Sequence, residues 1–353
     1  MSSHSEGTTP KRNATLEEVA QAAGASRATV SRVVNGSLRV SPNVRRSVER
    51  AIAQLGYVPN RAARSLVMRR SDSIGIVIPD RASRFFGDPF FPQLLRGVSQ
   101  ALVARGLQLV LLMPQSDEEE RRLEQYLAAG HVDGVVLIGL HAGDLLPARL
   151  AVHGIPTVMS GRPLEDVPVS YVDVDNRQGA RLAVEHLLAG GRRRIATITG
   201  TLDMTGAMDR LLGYRDALTA AGVRLDPSLE EVGDFSQETA ARAMALLLER
   251  HPGLDGLFVA SDSMAVTALR VLKDAGRRVP DDTAVVGFDD QPIARTANPP
   301  LSSIHQPIQT MTAEMIRLLL EGINTRDRVP RQVIFPARLV VRESSGGTST
   351  PSS

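Results

Sequence analysis

Hydrophobic positions along the chain change their spacing near Ser73. Before this point, short segments place apolar residues three and four positions apart, as in Leu16, Val19, Ala20 and Ala23, which predicts amphipathic helices. From Ser73 onward, continuous apolar runs such as SIGIV and GVVLIG alternate with segments of helical spacing. Continuous apolar strands between helices are typical of parallel sheets that are buried on both faces. The pattern predicts a small helical domain followed by a doubly wound α/β body.

Three helices are predicted within residues 15–59. Thr15 fits the N-cap of the first helix in a capping box, and Gly24 ends that helix. Ser26 can cap the second helix and Ser41 the third. Two short helices joined by a tight turn, with a third helix behind them, are typical of a helix-turn-helix DNA-binding domain.

The exposed face of the second predicted helix has the chemistry of a DNA-reading surface. Its valines form the buried side, so the opposite side carries Arg27, Ala28, Ser31, Arg32 and Asn35. Arginine can donate two parallel hydrogen bonds to guanine, and a small side chain such as that of Ala28 or Thr29 can approach the methyl group of thymine. Hydroxyl and amide groups can hold phosphates, and here these groups belong to Ser26, Thr29, Ser31 and Asn35.

The charge distribution agrees with a polyanionic partner. Residues 11–70 contain twelve lysines and arginines but three glutamates, whereas the whole chain has a net charge of only +2. Such an asymmetry favours a basic module for nucleic acid, attached to a mildly acidic body. The predicted DNA contacts also include Thr15 and Asn60, at the two ends of this module.

The body is predicted to consist of two similar α/β lobes. Open parallel sheets bind ligands at the carboxyl ends of their strands, and those ends carry Asp80, Gly139, Ser160, Gly200, Ser261 and Asp289. The predicted boundaries are a disordered tail at 1–14, the helix-turn-helix domain at 15–59, a hinge helix or linker at 60–73, the two-lobed body at 74–343 with chain crossings near 175, 305 and 333, and a disordered tail at 344–353.

The composition excludes several classes of site. The 353 residues include no cysteine, so disulfides, thiolate metal sites and a cysteine nucleophile are excluded. The polar N-terminus lacks the apolar core of a signal peptide, and no apolar run approaches the roughly 18 residues of a membrane span. The sequence contains no nucleophile elbow, His-Glu-x-x-His motif or phosphate loop. We therefore expect a cytoplasmic protein without a cofactor, a metal site or an enzymatic activity.

Several stretches resemble the lactose repressor (LacI/GalR) family of bacterial transcriptional regulators. They include TVSRVVNG and LGYVPN in the helical part, and VDVDNRQGARLAVEHLLAGG, RLLGYRDAL and VPDDTAVVGFDD in the body. The resemblance covers about residues 15–342. It implies a headpiece, a hinge and a periplasmic-binding-protein-like body with a ligand cleft between its lobes. It also implies a ligand-responsive repressor that binds a palindromic operator as a homodimer.

The resemblance assigns roles to residues of the headpiece and the hinge. By the family pattern, Arg27 and Ala28 are the main base readers. Leu66 matches the family leucine that wedges into the minor groove at the operator centre, and Ala63 and Arg64 flank it. An apolar wedge partly unstacks a base step and bends the duplex. Without the resemblance, Leu66 fits an ordinary linker leucine.

The resemblance also implies effector contacts in the body. Arg210 and Asp289 match a ligand-binding arginine and aspartate, and Phe235 matches an aromatic residue that stacks on the ligand. The other positions are Phe90 and Phe91 in the first lobe, Asp175 and Gln178 near the lobe crossing, and Ser261, where sugar-binding members often carry asparagine. Arginine and aspartate can bind vicinal hydroxyl groups, and ring faces can pack on a sugar. The expected effector is therefore a sugar or a similar polar small molecule.

Alternatives remain open from the residues alone. Phe90 and Phe91 fit a hydrophobic core as well as a cleft, and Arg210 with Asp289 fits a structural ion pair. A solute-binding protein without a role on DNA would explain the body, but it would leave residues 15–66 without a function. The long leucine-rich C-terminal extension of tetrameric family members is absent, which favours a dimer.

Overall fold

The computed structural model describes residues 14–34, 37, 39–57, 70–78, 89–325 and 329–347. The chain divides into two compact units, one before Asp72 and one from Asp72 onward. The described part of the first unit is helical, and the second unit alternates strands with helices. The predicted fold class is therefore confirmed.

The helical unit is built from three described helices around a small apolar core. They are α1 (Leu16–Ala23), α2 (Arg27–Val34) and α3 (Pro42–Leu55). Thr15 and Glu18 form the predicted capping box of α1, and Gly24 ends this helix in the left-handed conformation. The core side chains are Val19, Ala20, Val30, Val33, Val48, Ala51 and Tyr57.

The second unit contains two sheets of six described strands each. In chain order its elements are β1 (Ser73–Val77), α4 (Phe90–Val103), β2 (Gln108–Leu112), α5 (Asp117–Ala128), β3 (Gly134–Ile138), α6 (Leu146–Val152), β4 (Thr157–Ser160), β5 (Ser170–Val174), α7 (Asn176–Ala189), β6 (Ile195–Ile198), α8 (Thr205–Ala220), β7 (Glu230–Glu231), α9 (Gln237–Arg250), β8 (Gly256–Val259), α10 (Asp262–Asp274), β9 (Ala284–Asp289), α11 (Pro292–Thr296), β10 (Ser302–His305), α12 (Ile308–Asn324), β11 (Gln332–Phe335) and β12 (Arg338–Val340). The first sheet has the order β11-β5-β4-β3-β1-β2, and the second has the order β12-β10-β9-β8-β6-β7. The strand pairs are parallel except for β10 with β12.

Apolar strands explain why both sheets form the centre of a lobe. β3, β6 and β8 bury every residue, which requires helices on both faces of the sheet. In the first lobe, Leu94 and Val98 of α4 and Met315 of α12 belong to one continuous core cluster. Because α12 packs on α4 and on β3 to β5, a late segment of the chain completes the first lobe.

The described chain passes between the lobes at three places. It leaves the first sheet at Asp175, returns between His305 and Ile308, and crosses again between Phe335 and Arg338. Asp175 N donates a hydrogen bond to Phe335 O at 2.8 Å, so the first and third crossings are bonded to each other.

Two local expectations differ from the structure. Ser41 occupies the N-cap of α3 but makes no capping hydrogen bond with its side chain. The disordered tail was expected to begin at residue 344, yet Glu343–Ser345 form a 3-10 turn. Ser344 is buried because its hydroxyl accepts a hydrogen bond from Ser302 N at 2.8 Å and donates one to Val285 O at 2.7 Å. A polar composition therefore did not prevent order here, since the hydroxyl satisfies two buried backbone groups.

We expect Gly213→Ala to destabilise the second unit by about 1–3 kcal/mol. A Cβ added at Gly213 on α8 would lie 2.1 Å from Arg177 O and 2.9 Å from the Ala180 Cβ of α7, so the helix backbones would have to move apart. Gly322→Ala in α12 is the matched control, because its added Cβ has no described atom within 4 Å apart from its chain neighbours and the nearby backbone of its own helix, and alanine favours a helix. Denaturant unfolding measures both variants, and an unchanged stability of Gly213→Ala would contradict the close packing of α7 on α8.

Candidate functional site

The helical unit presents the predicted polar side of α2 to solvent. Val30 and Val33 are buried, whereas Arg27, Ala28 and Arg32 are exposed. A helix with two exposed arginines and a small residue has the width and the hydrogen-bonding chemistry to enter the major groove of B-DNA. Ser31, which is half-buried, lies in the same helix.

Hydroxyl groups that were predicted to contact DNA form helix caps. Ser26 Oγ accepts a hydrogen bond from Thr29 N at 3.1 Å and lies 2.9 Å from Thr29 Oγ1. Thr15 Oγ1 accepts from Glu18 N at 3.2 Å, while Thr15 N donates to Glu18 Oε2 at 2.6 Å. These caps fix the first turns of α1 and α2, and the N–H groups of such turns are suited to an anion.

A surface ion pair holds Arg27 in the DNA-free chain. Arg27 Nε lies 3.0 Å from Glu17 Oε1 of α1, with the two side chains 74% and 61% exposed. A pair this exposed contributes little stability, so Arg27 can exchange Glu17 for a DNA group at small cost. Asn35, Asn60, Ala63, Arg64 and Leu66 lie outside the described residues, and their DNA contacts stay predictions.

A cleft lies between the two lobes of the second unit. It encloses about 1100 Å³ of empty space, part of which is open to solvent. Five of the predicted effector contacts line it, namely Phe90, Phe91, Arg210, Phe235 and Asp289. Loops at the carboxyl ends of several strands form its walls, as expected for open parallel sheets. Its size and its mixed polar and apolar walls suit a small molecule.

Arg210 and Asp289 form a buried ion pair on the cleft wall. Arg210 Nη1 lies 3.6 Å from Asp289 Oδ1, and the two side chains are only 10% and 4% exposed. Arg210 Nη1 also donates to Ala260 O, and Nε donates to Asn176 Oδ1 at 2.9 Å. The guanidinium carbon lies 3.7 Å from the centre of the Phe288 ring. The pair is therefore part of the structure and also lies at the surface that a ligand would meet.

Two glutamines orient the Asp289 carboxylate. Gln306 Nε2 donates to Oδ1 at 2.6 Å, and Gln291 Nε2 donates to Oδ2 at 3.2 Å. The backbone of Asp289 has a φ of 106°, which is a strained conformation for a residue with a side chain and is typical of binding sites. Burial, together with the negative charge of Asp289, raises the pKa of the neighbouring Asp262 carboxyl well above its usual range.

Aromatic rings supply the apolar part of the cleft. Phe235 packs directly on Gly200, where an added Cβ would lie 2.0 Å from the ring, so a glycine is required to admit it. Phe91 is only 3% exposed and belongs to the core of the first lobe. Its ring meets that of Phe90 edge-on, with 5.7 Å between the ring centres. Core and cleft are therefore not exclusive alternatives for Phe91, because it contributes to both.

Side chains of opposite lobes are bonded to each other across the cleft. Arg162, which follows β4, donates to both carboxylate oxygens of Asp209 on α8, at 3.1 and 3.0 Å, and this bonding raises the pKa of the guanidinium. His141 Nδ1 lies 2.9 Å from Asp203 Oδ2. Burial raises the pKa of Asp203, but hydrogen bonds from Thr201 and His141 outweigh it and leave that pKa below its usual value. These contacts connect the two lobes beside the cleft.

Three predicted effector contacts do not line the cleft. Asp175 is the exposed N-cap of α7, and its carboxylate accepts a hydrogen bond from Gln178 N at 2.9 Å. The Gln178 side chain is exposed. Ser261 is the buried N-cap of α10, and its hydroxyl accepts from Met264 N at 3.3 Å. In the structure Asp175 and Ser261 serve helix starts and Gln178 faces solvent, and the contact of these three residues with an effector stays a prediction.

Other polar residues of the cleft were not singled out from the sequence. They include Asp173, Asn176, Arg162, Asp203 and Gln306. Asn176 Nδ2 donates to Asp173 Oδ1 at 3.0 Å, and burial raises the pKa of the Asp173 carboxyl. Asp173 and Gln306 stand at the carboxyl ends of β5 and β10, so the rule that found Asp289 would also have found them. Asn176 carries no such signal.

Carboxylates outnumber arginines on the described walls of the cleft. The carboxylates belong to Asp144, Glu165, Asp173, Asp203 and Asp289, and the guanidinium groups to Arg162 and Arg210. Such a cleft favours neutral or cationic ligands over anions.

The described part of the chain lacks two other kinds of site. None of its His, Cys, Asp and Glu side chains form a group of three or more that could hold a metal ion. None of its helices combines the length and the apolar character that a membrane crossing requires.

Sequence comparisons identify relatives over nearly the whole chain. Residues 15–60 match the bacterial regulatory proteins of the lacI family, and residues 184–345 match the periplasmic binding protein-like domain. The HTH-type transcriptional regulator CelR of Thermobifida fusca is 49% identical over 95% of this chain and 99% of its own length. The ribose operon repressor of Halalkalibacterium halodurans is 36% identical over 94% of this chain and 97% of its own length.

Solved structures agree with the sequence comparisons. A complex of the transcriptional regulator CelR with cellobiose has a TM-score of 0.75 at 47% identity, and covers 94% of this chain and 100% of that chain. The lac repressor dimer bound to operator and the anti-inducer ONPF has a TM-score of 0.84 at 28% identity. The match covers 95% of this chain and 99% of that chain. The chain thus belongs to the LacI family of bacterial regulatory proteins and is a ligand-responsive, DNA-binding transcriptional regulator.

Proposed function

We propose that this regulator is a repressor that binds a palindromic operator as a homodimer, and that a saccharide in the cleft changes its operator affinity. The observation that carries the proposal is the buried Arg210–Asp289 pair on the cleft wall. Cellobiose is the first effector to test, because CelR, which is 49% identical to this chain, has been solved in complex with it. The protein acts in the cytoplasm, where the operator is, and regulates without catalysing a reaction.

The chemistry of the cleft supports a saccharide. Sugar hydroxyl groups can donate to the Asp289 carboxylate and accept from the Arg210 guanidinium, both of which line the cleft. The ring of Phe235 offers a flat apolar face to the C–H surface of a sugar. The excess of carboxylates suits a ligand that is rich in hydroxyl donors and has no negative charge of its own.

The DNA side of the proposal rests on α2. Arg27 and Ala28, both exposed, would read base edges in the major groove, with Arg32 beside them. Thr15, Ser26, Thr29 and Ser31 would position the headpiece on phosphates. Leu66, flanked by Ala63 and Arg64, would wedge into the minor groove between the two half-sites.

The effector would act through the distance between the lobes. Arg162–Asp209 and His141–Asp203 join the lobes beside the cleft, so a ligand that alters these contacts alters the lobe arrangement. The change in operator affinity cannot exceed the difference in the ligand's affinity for the two arrangements.

We expect cellobiose to raise the melting temperature, since it binds only the folded protein, and to change the operator Kd by about fivefold or more.

Cellobionate and cellobiose 6-phosphate are anionic controls, for which we expect about tenfold weaker binding because of the carboxylates on the cleft walls. Residues 79–88 hold two aspartates and two arginines. The formal net charge of this stretch is therefore zero, and including it does not change the excess of carboxylates over arginines. The absence of a melting shift with cellobiose and with a panel of other neutral sugars would contradict a saccharide effector. Tighter binding of an anionic analogue would contradict the charge argument only.

We expect Arg27→Ala to reduce the preference for operator over random DNA by about 1–3 kcal/mol, the value of one good arginine–guanine contact. Arg50→Ala on α3 is the matched control, because it removes the same charge from another exposed helix position. It should weaken binding to both DNAs alike. Fluorescence anisotropy at a fixed salt concentration measures the Kd of each variant for operator DNA and for random DNA. A retained preference in Arg27→Ala would reject Arg27 as a base reader.

We expect Asp289→Asn to weaken cellobiose binding by about 1.5–3 kcal/mol, because a charged hydrogen-bond acceptor is lost, and to lower the melting temperature, because the buried Arg210 guanidinium loses its counter-charge, while operator DNA is still bound. Asp274→Asn is the control, since Asp274 is an exposed carboxylate at the end of α10. Calorimetry measures the cellobiose Kd, and fluorescence anisotropy measures the operator Kd. If Asp289→Asn lost operator binding together with its melting transition, the carboxylate would be structural rather than ligand-binding.

A further inference from the structure

Asn176 is one of the polar residues that line the cleft, whereas its neighbours Asp175 and Gln178 are not. It is the first residue of α7, directly after the first chain crossing between the lobes. Asp175 and Gln178 are exposed, whereas Asn176 is only 4% exposed. The start of a helix therefore places one residue of this short segment inside the molecule and turns the others to solvent.

The Asn176 side chain is bonded in two directions. Its Oδ1 accepts the hydrogen bond from Arg210 Nε at 2.9 Å. Its Nδ2 donates to Asp173 Oδ1 at 3.0 Å and to Val174 O at 3.2 Å. An amide is suited to this place because it can accept from a guanidinium and donate to a carboxylate at the same time.

These bonds link one lobe to the other. Arg210 belongs to α8 of the second lobe and pairs with Asp289. Asp173 belongs to β5 of the first lobe, where its carboxylate also accepts from Arg162 N at 3.0 Å. Arg162 in turn bonds to Asp209 across the cleft. A continuous polar chain thus runs from the proposed effector-binding pair, through Asn176, to the contact that joins the lobes.

We propose that Asn176 is a positioning residue that couples occupancy of the Arg210–Asp289 pair to the arrangement of the two lobes, and hence to operator affinity. The inference rests on the proposed function, because it concerns the response to the same effector. Burial carries the argument. A shift of Arg210 on ligand binding must move Asn176 with it or leave a buried donor and acceptor without their bonds, which is unfavourable.

The test separates ligand affinity from coupling. Cellobiose Kd is measured by calorimetry on the DNA-free full-length protein. Operator Kd is measured by anisotropy without and with saturating cellobiose, and the ratio of the two operator constants is the coupling. Gln178→Ala is the matched control, because Gln178 is exposed on the same helix, two residues away.

We expect Asn176→Ala to bring the ratio of operator constants close to one, while the cellobiose Kd changes by less than about fivefold. Gln178→Ala should keep the wild-type ratio. A cellobiose Kd that rises strongly with an unchanged ratio would overturn the proposal and make Asn176 a ligand contact. An unchanged ratio together with an unchanged Kd would overturn it as well.

Asn176→Asp supplies a second, independent readout. The new carboxyl would keep the acceptor for Arg210 but would face the Asp173 carboxylate, with Arg162 and Asp289 as the next charged groups along the chain. Two carboxyl groups this close cannot both ionise easily, so one takes up a proton as the pH falls. Whichever carboxyl is protonated can then donate to the other, which restores a hydrogen bond between positions 173 and 176. We therefore expect the coupling of Asn176→Asp to rise as the pH falls, and that of Asn176→Ala to stay low at every pH.

The outcomes distinguish the two proposals. A coupling that stays low in Asn176→Asp at every pH, in a protein that still melts cooperatively and binds cellobiose, would overturn the positioning role. A wild-type protein whose operator affinity does not respond to cellobiose would overturn the proposed effector and this inference together, and it would be recognised before any variant is made.

Discussion

The buried guanidinium of Arg210 determines the arrangement of the cleft. A guanidinium that is removed from water is stable only when its N–H groups meet acceptors. Here Nε meets Asn176, Nη1 meets Ala260 O, and Asp289 supplies the opposite charge. These partners come from the start of α7, the end of β8 and the end of β9, so one side chain holds three elements together at the place where a ligand would bind. Changing any of these elements changes the environment of a buried charge.

The two binding surfaces of the chain follow opposite rules. Arg27 is 74% exposed and has a surface partner in Glu17, so a DNA group can replace that partner with little loss of stability. Arg210 is 10% exposed, and its bonds support the surrounding fold. A substitution at the DNA-reading helix is therefore a change of recognition, whereas a substitution in the cleft changes recognition and stability together. Asp289→Asn and Asn176→Asp therefore keep the size of the side chain, whereas Asn176→Ala requires a melting measurement beside its binding constants.

The sequence predicted those parts of the structure that depend on one local rule. The alternation of apolar runs and helices gave both sheets, and the strand-end rule together with the family resemblance gave Arg210 and Asp289. It did not distinguish Asp175 from Asn176, because a polar residue at the start of a helix can cap that helix or turn inward, and tertiary packing makes the choice. Ser261 was predicted to contact the effector, but its hydroxyl caps the start of α10. The order at Ser344 depends on backbone groups of Ser302 and Val285, which are far away in the sequence and whose proximity no local pattern encodes.

The distance within the Arg210–Asp289 pair explains how a ligand can bind to groups that are already engaged. At 3.6 Å, the two atoms attract each other as charges but are too far apart for a normal hydrogen bond. One hydroxyl group beside them could donate to the carboxylate and accept from the guanidinium, with both bonds near ordinary length. Gln306 would keep its own bond to the carboxylate, because a carboxylate has several acceptor sites. A saccharide would therefore complete this network instead of competing with it, and its binding energy would act on the arrangement of the lobes.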